Sequence, residues 1–263
     1  MAPDEQERTL RSYYHALYAA WGAQHWWPGD TQFEVIVGAY LTQNTAWTNV
    51  ERALANLRAA GVLSLEGIRK IRLPRLEGLI RPSGYFRQKA ARIKTFVDFL
   101  DRQHGGSLPV LFSQPTQVVR EQLLVLNGVG PETAGSILLY AGNHPVFVVD
   151  AYTRRVLDRH KILPANADYE RIRQLFERAL QPVTEPVQGS HHERTESRKT
   201  PNPGLAFPST AHSPSAMSLA KRTALVQMYN EMHGLLVGVG KHFCGKSQPQ
   251  CDGCPLQPFL PAR

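Results

Sequence analysis

Apolar side chains recur every three or four positions from the start of the chain. Leu10, Tyr13, Tyr14, Leu17, Tyr18 and Trp21 make one stripe over residues 4–21, which predicts an amphipathic helix. Thr31 and Glu34 have capping-box spacing, and the run behind them, Phe33 to Leu41, is apolar on most sides, so a helix buried all round is expected. Trp47, Val50, Ala53, Leu54 and Leu57 predict a further helix stopped by Gly61, and short helices follow over Ser64–Ile71 and Arg75–Ile80, separated by Pro74. Lys89–Gln103 turns Ile93, Phe96, Val97 and Leu100 inward. Helices over Thr116–Leu126, Pro131–Ala141, Asp150–His160 and Tyr169–Leu180 complete the central run. Only Val146–Val149 suggests an extended piece, too short to found a sheet. The expected fold class is all-α.

From about Pro182 to Ser218 the helical period lapses into a stretch rich in Pro, Ser, Thr and charge, read as a disordered insert 182–218. The pattern resumes at Leu219.

Hydrophobic residues at 42% and charged residues at 20% rule out a wholly disordered chain. A net charge of +8 is compatible with a plain solvated surface or with a polyanion partner, and leaves the choice to the motifs. The first residues carry charge and lack an apolar signal core, and no apolar stretch reaches membrane-spanning length. The three cysteines fall in the last twenty residues, unlike a secreted disulfide framework. A soluble, cytoplasmic protein with no membrane role is expected.

Leu126-Asn127-Gly128-Val129-Gly130-Pro131-Glu132 reads as a helix, a tight hairpin and a second helix opening on proline. The glycines permit positive φ and let a phosphate approach the backbone, where the second helix presents its free N–H groups. An ordinary turn between helices would read the same way. Beyond it comes Phe147-Val148-Val149-Asp150-Ala151-Tyr152. With this second segment the chain resembles the helix-hairpin-helix DNA glycosylases of the endonuclease III superfamily, in which a V-D at this distance supplies the catalytic aspartate. The resemblance assigns that role to Asp150 and DNA-backbone contacts to Gly128, Val129 and Gly130. By itself, Asp150 would also serve as a helix N-cap. A carboxylate suits the chemistry: breaking an N-glycosidic bond leaves positive charge on the sugar, which a nearby anion stabilises, while the base is rotated out of the duplex.

Leu41-Thr42-Gln43-Asn44-Thr45 resembles the family segment whose glutamine enters the space left by the flipped base, and Gln43 matches it. Gly84-Tyr85-Phe86-Arg87-Gln88-Lys89-Ala90 resembles the loop whose bulky residue wedges into the opposite strand, which is Tyr85 here. Lys89 is expected among the phosphate contacts that make binding salt-dependent. Members that also cut the strand use a lysine in the second hairpin helix as a Schiff-base nucleophile. That position is Glu132, and no lysine occurs from Pro131 to Asn143, so a monofunctional, water-using enzyme with weak or absent lyase activity is expected.

Cys244-x6-Cys251-x2-Cys254 reproduces three positions of the family's [4Fe–4S] motif, and Leu260 stands at the fourth. A cluster completed by His242, solvent or an external thiol, a zinc ion, and a relic holding nothing all remain open.

Gln24-His25-Trp26-Trp27-Pro28, Trp47 one turn beyond Gln43, and Tyr229–Gly234 resemble the 3-methyladenine branch of the superfamily, in which such aromatics line a stacking pocket. The resemblance implies a base pocket of Trp26, Trp27, Pro28 and Trp47, with Lys241 as a pocket lysine. Alkylation puts positive charge on adenine, which electron-rich indole faces attract. Adjacent tryptophans also serve as plain core. A mismatch-directed uracil or thymine glycosylase and an endonuclease III-like enzyme with lyase activity are the enzymatic alternatives. A non-catalytic module binding damaged DNA would need neither Asp150 nor Gln43. The arrangement expected is two helical lobes with a catalytic cleft between them, residues 30–140 in one and residues 1–29 plus 141–263 in the other, working as a monomer on double-stranded DNA.

Overall fold

The computed structural model of the protein describes residues 2–181 and 212–261. It contains no strand among those residues, and the all-α expectation holds. Among the described residues no helix is long and apolar enough to cross a membrane. Val146–Val149 runs extended and buried but pairs with nothing in a ladder.

The chain divides into two compact units. One holds residues 25–150 and 212–230. At its centre lies the helix Gln32–Leu41, in which every residue from Phe33 to Leu41 is buried. Its sequence is apolar all round, so it can be covered on every side, and it packs against Trp47–Ala59, Phe86–His104 and the π-helical turn Ile137–Ala141. Thr31 caps it, its hydroxyl accepting from Glu34 N at 3.1 Å. Glu34 is buried, and its carboxylate pairs with Arg58. Gly38 leaves room for an indole: a Cβ there would lie 3.3 Å from Trp27 Nε1.

The helix Phe86–His104 buries Ile93, Phe96, Val97 and Leu100, the face read from the sequence. It begins three residues earlier than the pattern predicts, because Tyr85 takes a left-handed conformation (φ 46°) and starts the first turn. The hairpin's second helix, Pro131–Ser136, opens on Pro131 and continues into Ile137–Ala141, with all five of those residues buried.

Most of the expected insert, residues 182–211, lies outside the described residues. Its last part, 212–218, corrects the expectation of disorder, since this segment packs in the same unit as the tryptophans. Met217 N donates to Gly29 O at 3.0 Å, and Gly29 N donates to Ser215 Oγ at 3.1 Å. These backbone bonds outweigh the Pro/Ser-rich composition, which carries no helical period to announce them. The helix that follows is Ala224–His242, five residues later than expected.

The other unit holds, among the described residues, 2–24, 151–181 and 231–261. The helix Pro3–Trp21 packs against Tyr169–Ala179, and Arg11 Nε donates to Ala179 O at 2.9 Å, satisfying a carbonyl that the helix end leaves free. Tyr13 is fully buried and bonds His160 Nδ1 at 2.7 Å. Gln24 N donates to the buried Glu231 carboxylate at 2.6 Å.

Candidate active site

The hairpin and Gln43 meet. Leu126–Gly130 turns the chain tightly, with Gly128 in the left-handed region (φ 77°). A Cβ on Gly128 would meet the Arg92 side chain, 1.9 Å from its Nε, and would displace it, while the positive φ itself favours glycine. Gly130 does not need positive φ, contrary to expectation: it is extended (φ −93°) and is the N-cap of the following helix. Gly130 is exposed, with open space where a Cβ would sit, while Val129 is buried.

Gln43 is held by three partners. Its Nε2 donates to Gly128 O and to Thr133 Oγ1, both at 2.9 Å, and its Oε1 accepts from Arg92 Nη1 at 2.7 Å. Arg92 escaped the sequence reading. The available signal was its position three residues after Lys89, on the same helical face.

Lys89 does not face solvent, which corrects its assignment as a phosphate contact. It is 1% exposed, and its Nζ donates to Leu41 O at 2.8 Å and Ser83 O at 2.7 Å. Burial, with a smaller contribution from the neighbouring Arg92 charge, pushes its pKa down to about 8. The lysine ties the end of the central helix, just before Gln43, to the turn that carries Tyr85. Tyr85 itself is 66% exposed, standing free as a wedge would have to.

The predicted pocket aromatics form one cluster. The rings of Trp27 and Trp47 lie 5.1 Å apart at 87°, and those of Trp26 and Trp27 lie 5.9 Å apart at 75°. Tyr140 closes on Trp27 at 5.2 Å, and His212 lies 5.0 Å from Trp26 and 6.0 Å from Trp47. Trp26 and Trp27 are buried, while Trp47 and Pro28 are half-buried. Sequence reasoning missed both Tyr140, which lay unremarked within the expected helix Pro131–Ala141, and His212, which lay in the expected insert. Asp150 is half-buried and immediately precedes the helix Ala151–Arg159. Lys241 is exposed near the end of Ala224–His242, in the unit that does not hold the aromatic cluster.

Cys244, Cys251 and Cys254 line one cavity of about 250 Å³ together with Arg159, His160 and Leu260. Arg159 Nη1 donates to Cys244 Sγ at 3.2 Å, and Arg155 Nε donates to Cys244 O at 2.5 Å. Burial, and beyond it the nearby Cys251 and Cys244 sulfurs, push the Cys254 thiol up. The histidine at this cavity is His160, not the His242 suggested by the sequence. Among the described residues no three of His, Cys, Asp or Glu converge as a single metal ion requires, so zinc does not fit this arrangement. A [4Fe–4S] cluster takes four thiolates, and the fourth place is taken by Leu260, so the full family set is not met either.

A Methanocaldococcus jannaschii protein that carries the provisional name DNA repair glycosylase is 35% identical over 94% of this chain and 93% of its own length. The solved Helicobacter pylori 3-methyladenine DNA glycosylase, bound to 1,N6-ethenoadenine, superimposes with a TM-score of 0.63 at 28% identity, covering 92% of this chain and 98% of that one. An endonuclease III–DNA complex shares the fold with a TM-score of 0.66 at 18% identity, over 99% of this chain and 96% of that one. Residues 37–182 match the HhH-GPD superfamily. With its hairpin, its tethered glutamine and this match over more than half its length, the chain belongs to the HhH-GPD superfamily of base excision DNA repair proteins.

Proposed function

We propose that this DNA glycosylase removes an alkylated purine of the 3-methyladenine class from duplex DNA, using water and leaving the strand uncut. The observation that carries the reading is the cluster of Trp26, Trp27 and Trp47 with Tyr140, four aromatic rings within 5.1–5.9 Å of a neighbour. Indole faces attract a base made cationic by alkylation, and such a base leaves without a general acid. The similarity to the Helicobacter pylori 3-methyladenine enzyme supports the same class.

Each residue has a part in this reading. Exposed Tyr85 wedges into the opposite strand, and Gln43 fills the space the base vacates. The hairpin around Gly130 takes a phosphate on its N–H groups. The Asp150 carboxylate stabilises the positive charge that develops on the sugar and orients the attacking water. Glu132 replaces the lysine of strand-cutting members and offers no amine to an abasic sugar. The enzyme acts as a monomer on double-stranded DNA, in the cytoplasm.

Duplexes carrying 3-methyladenine, uracil opposite guanine, or thymine opposite guanine distinguish the readings. The proposal expects release of 3-methyladenine, and loss of that release in Trp27→Ala. Preferential release of uracil or thymine would replace it with the mismatch-directed reading.

A further inference from the structure

The ring of His212 touches both Trp26 and Trp47, at 5.0 and 6.0 Å between centroids. Trp26 and Trp27 are only 8% and 5% exposed, so a base cannot reach their faces in this arrangement without something giving way. The segment bearing His212 is fastened just beyond it. Gly29, two residues after Trp27, bonds Ser215 and Met217 through its N–H and its carbonyl. Ser215 and Ser218 bond reciprocally, Ser215 N to Ser218 Oγ at 2.8 Å and Ser218 N to Ser215 Oγ at 3.2 Å, which stiffens the turn. His212 therefore sits three residues from a fixed anchor.

We infer that His212 is a place-holder in the base pocket: its imidazole, tilted against the indoles, occupies the place where the flipped base is to go, and swings out as the base enters. The inference rests on the reading of the tryptophan cluster as that pocket. It makes His212 a residue that sets base affinity. A pocket open for only a fraction of the time binds more weakly by that fraction. If the imidazole vacates the indoles about one-tenth of the time, removing it tightens base binding about tenfold.

The test is titration of the purified protein with free 3-methyladenine, followed by quenching of tryptophan fluorescence, in wild type, His212→Ala and His212→Phe. The expected result is tighter binding to His212→Ala, by about tenfold, and no such gain for His212→Phe, which keeps a ring in the slot. Equal or weaker binding to His212→Ala would overturn the inference, making the imidazole a bystander or a fixed wall. Binding to neither wild type nor His212→Ala would overturn the pocket reading itself, and the inference with it. Circular dichroism of the variants confirms that they fold.

Discussion

Arg92 Nη1 donates to Gln43 Oε1 at 2.7 Å, while the same glutamine's Nε2 reaches Gly128 O and Thr133 Oγ1. One carboxamide thus links the arginine of one helix, the carbonyl of the hairpin and a hydroxyl of the helix behind it. The residue expected to fill the gap in the duplex is held beside the loop expected to grip the phosphate.

This linkage predicts that Arg92 and Gln43 act as a unit. Arg92→Ala and Gln43→Ala should each lower kcat/KM for base release by about tenfold or more, the scale of a lost hydrogen bond to a charged group. The double variant should lose less than the sum, with a coupling of about 0.5–3 kcal/mol. Additive losses in a double-mutant cycle on one alkylated duplex would show that the contact does not operate during the reaction.

Lys89 gives a pH signature. Its pKa is depressed to about 8 in the folded chain, so between roughly pH 8 and the ordinary lysine value of about 10.4 the unfolded chain holds the proton that the folded chain has lost. Stability rises with pH wherever the unfolded state binds more protons, so the Lys89 contribution should improve across that window by up to about 3 kcal/mol. Lys89→Met strands the Leu41 and Ser83 carbonyls, and should be less stable by a few kcal/mol, on the order of 2–4. Urea midpoints of the two proteins from pH 7 to pH 10 check both claims, since the wild type should pull further ahead as pH rises. A constant gap would mean that Lys89 does not titrate in that window.

The helices were legible because their burial is periodic. Leu10, Tyr13 and Leu17, or Ile93, Phe96 and Leu100, announce a covered face by spacing alone, and they are buried. Gln43, Gly128 and Tyr85 were legible from short motifs whose geometry is local. Lys89 was misread because a lysine in a helical pattern defaults to the wet face, and only the fold shows two carbonyls waiting beneath it. His212 and Arg92 were illegible for a related reason. Their partners, Trp26 and Gln43, lie 186 and 49 positions away, and no periodicity records a contact at that separation.

The thiol cavity makes a prediction about iron. Leu260 lines it beside Cys244, Cys251 and Cys254, at the motif position where a fourth thiolate would stand. Leu260→Cys should therefore take up more iron than the wild type on anaerobic reconstitution with iron and sulfide, measured as iron per chain. Equal uptake by both proteins would show that the fourth thiolate is not what the site lacks.

The central claim is that Asp150 drives hydrolysis of a glycosidic bond in a protein without a hairpin lysine. The most direct test is release of 3-methyladenine from methylated duplex DNA by wild type and Asp150→Asn, with strand breaks scored before and after alkali. The account predicts release by the wild type, a loss of at least about a hundredfold in the variant, on the scale of a lost transition-state electrostatic partner, and breaks only after alkali. Undiminished release by Asp150→Asn, or breaks without alkali, would contradict it.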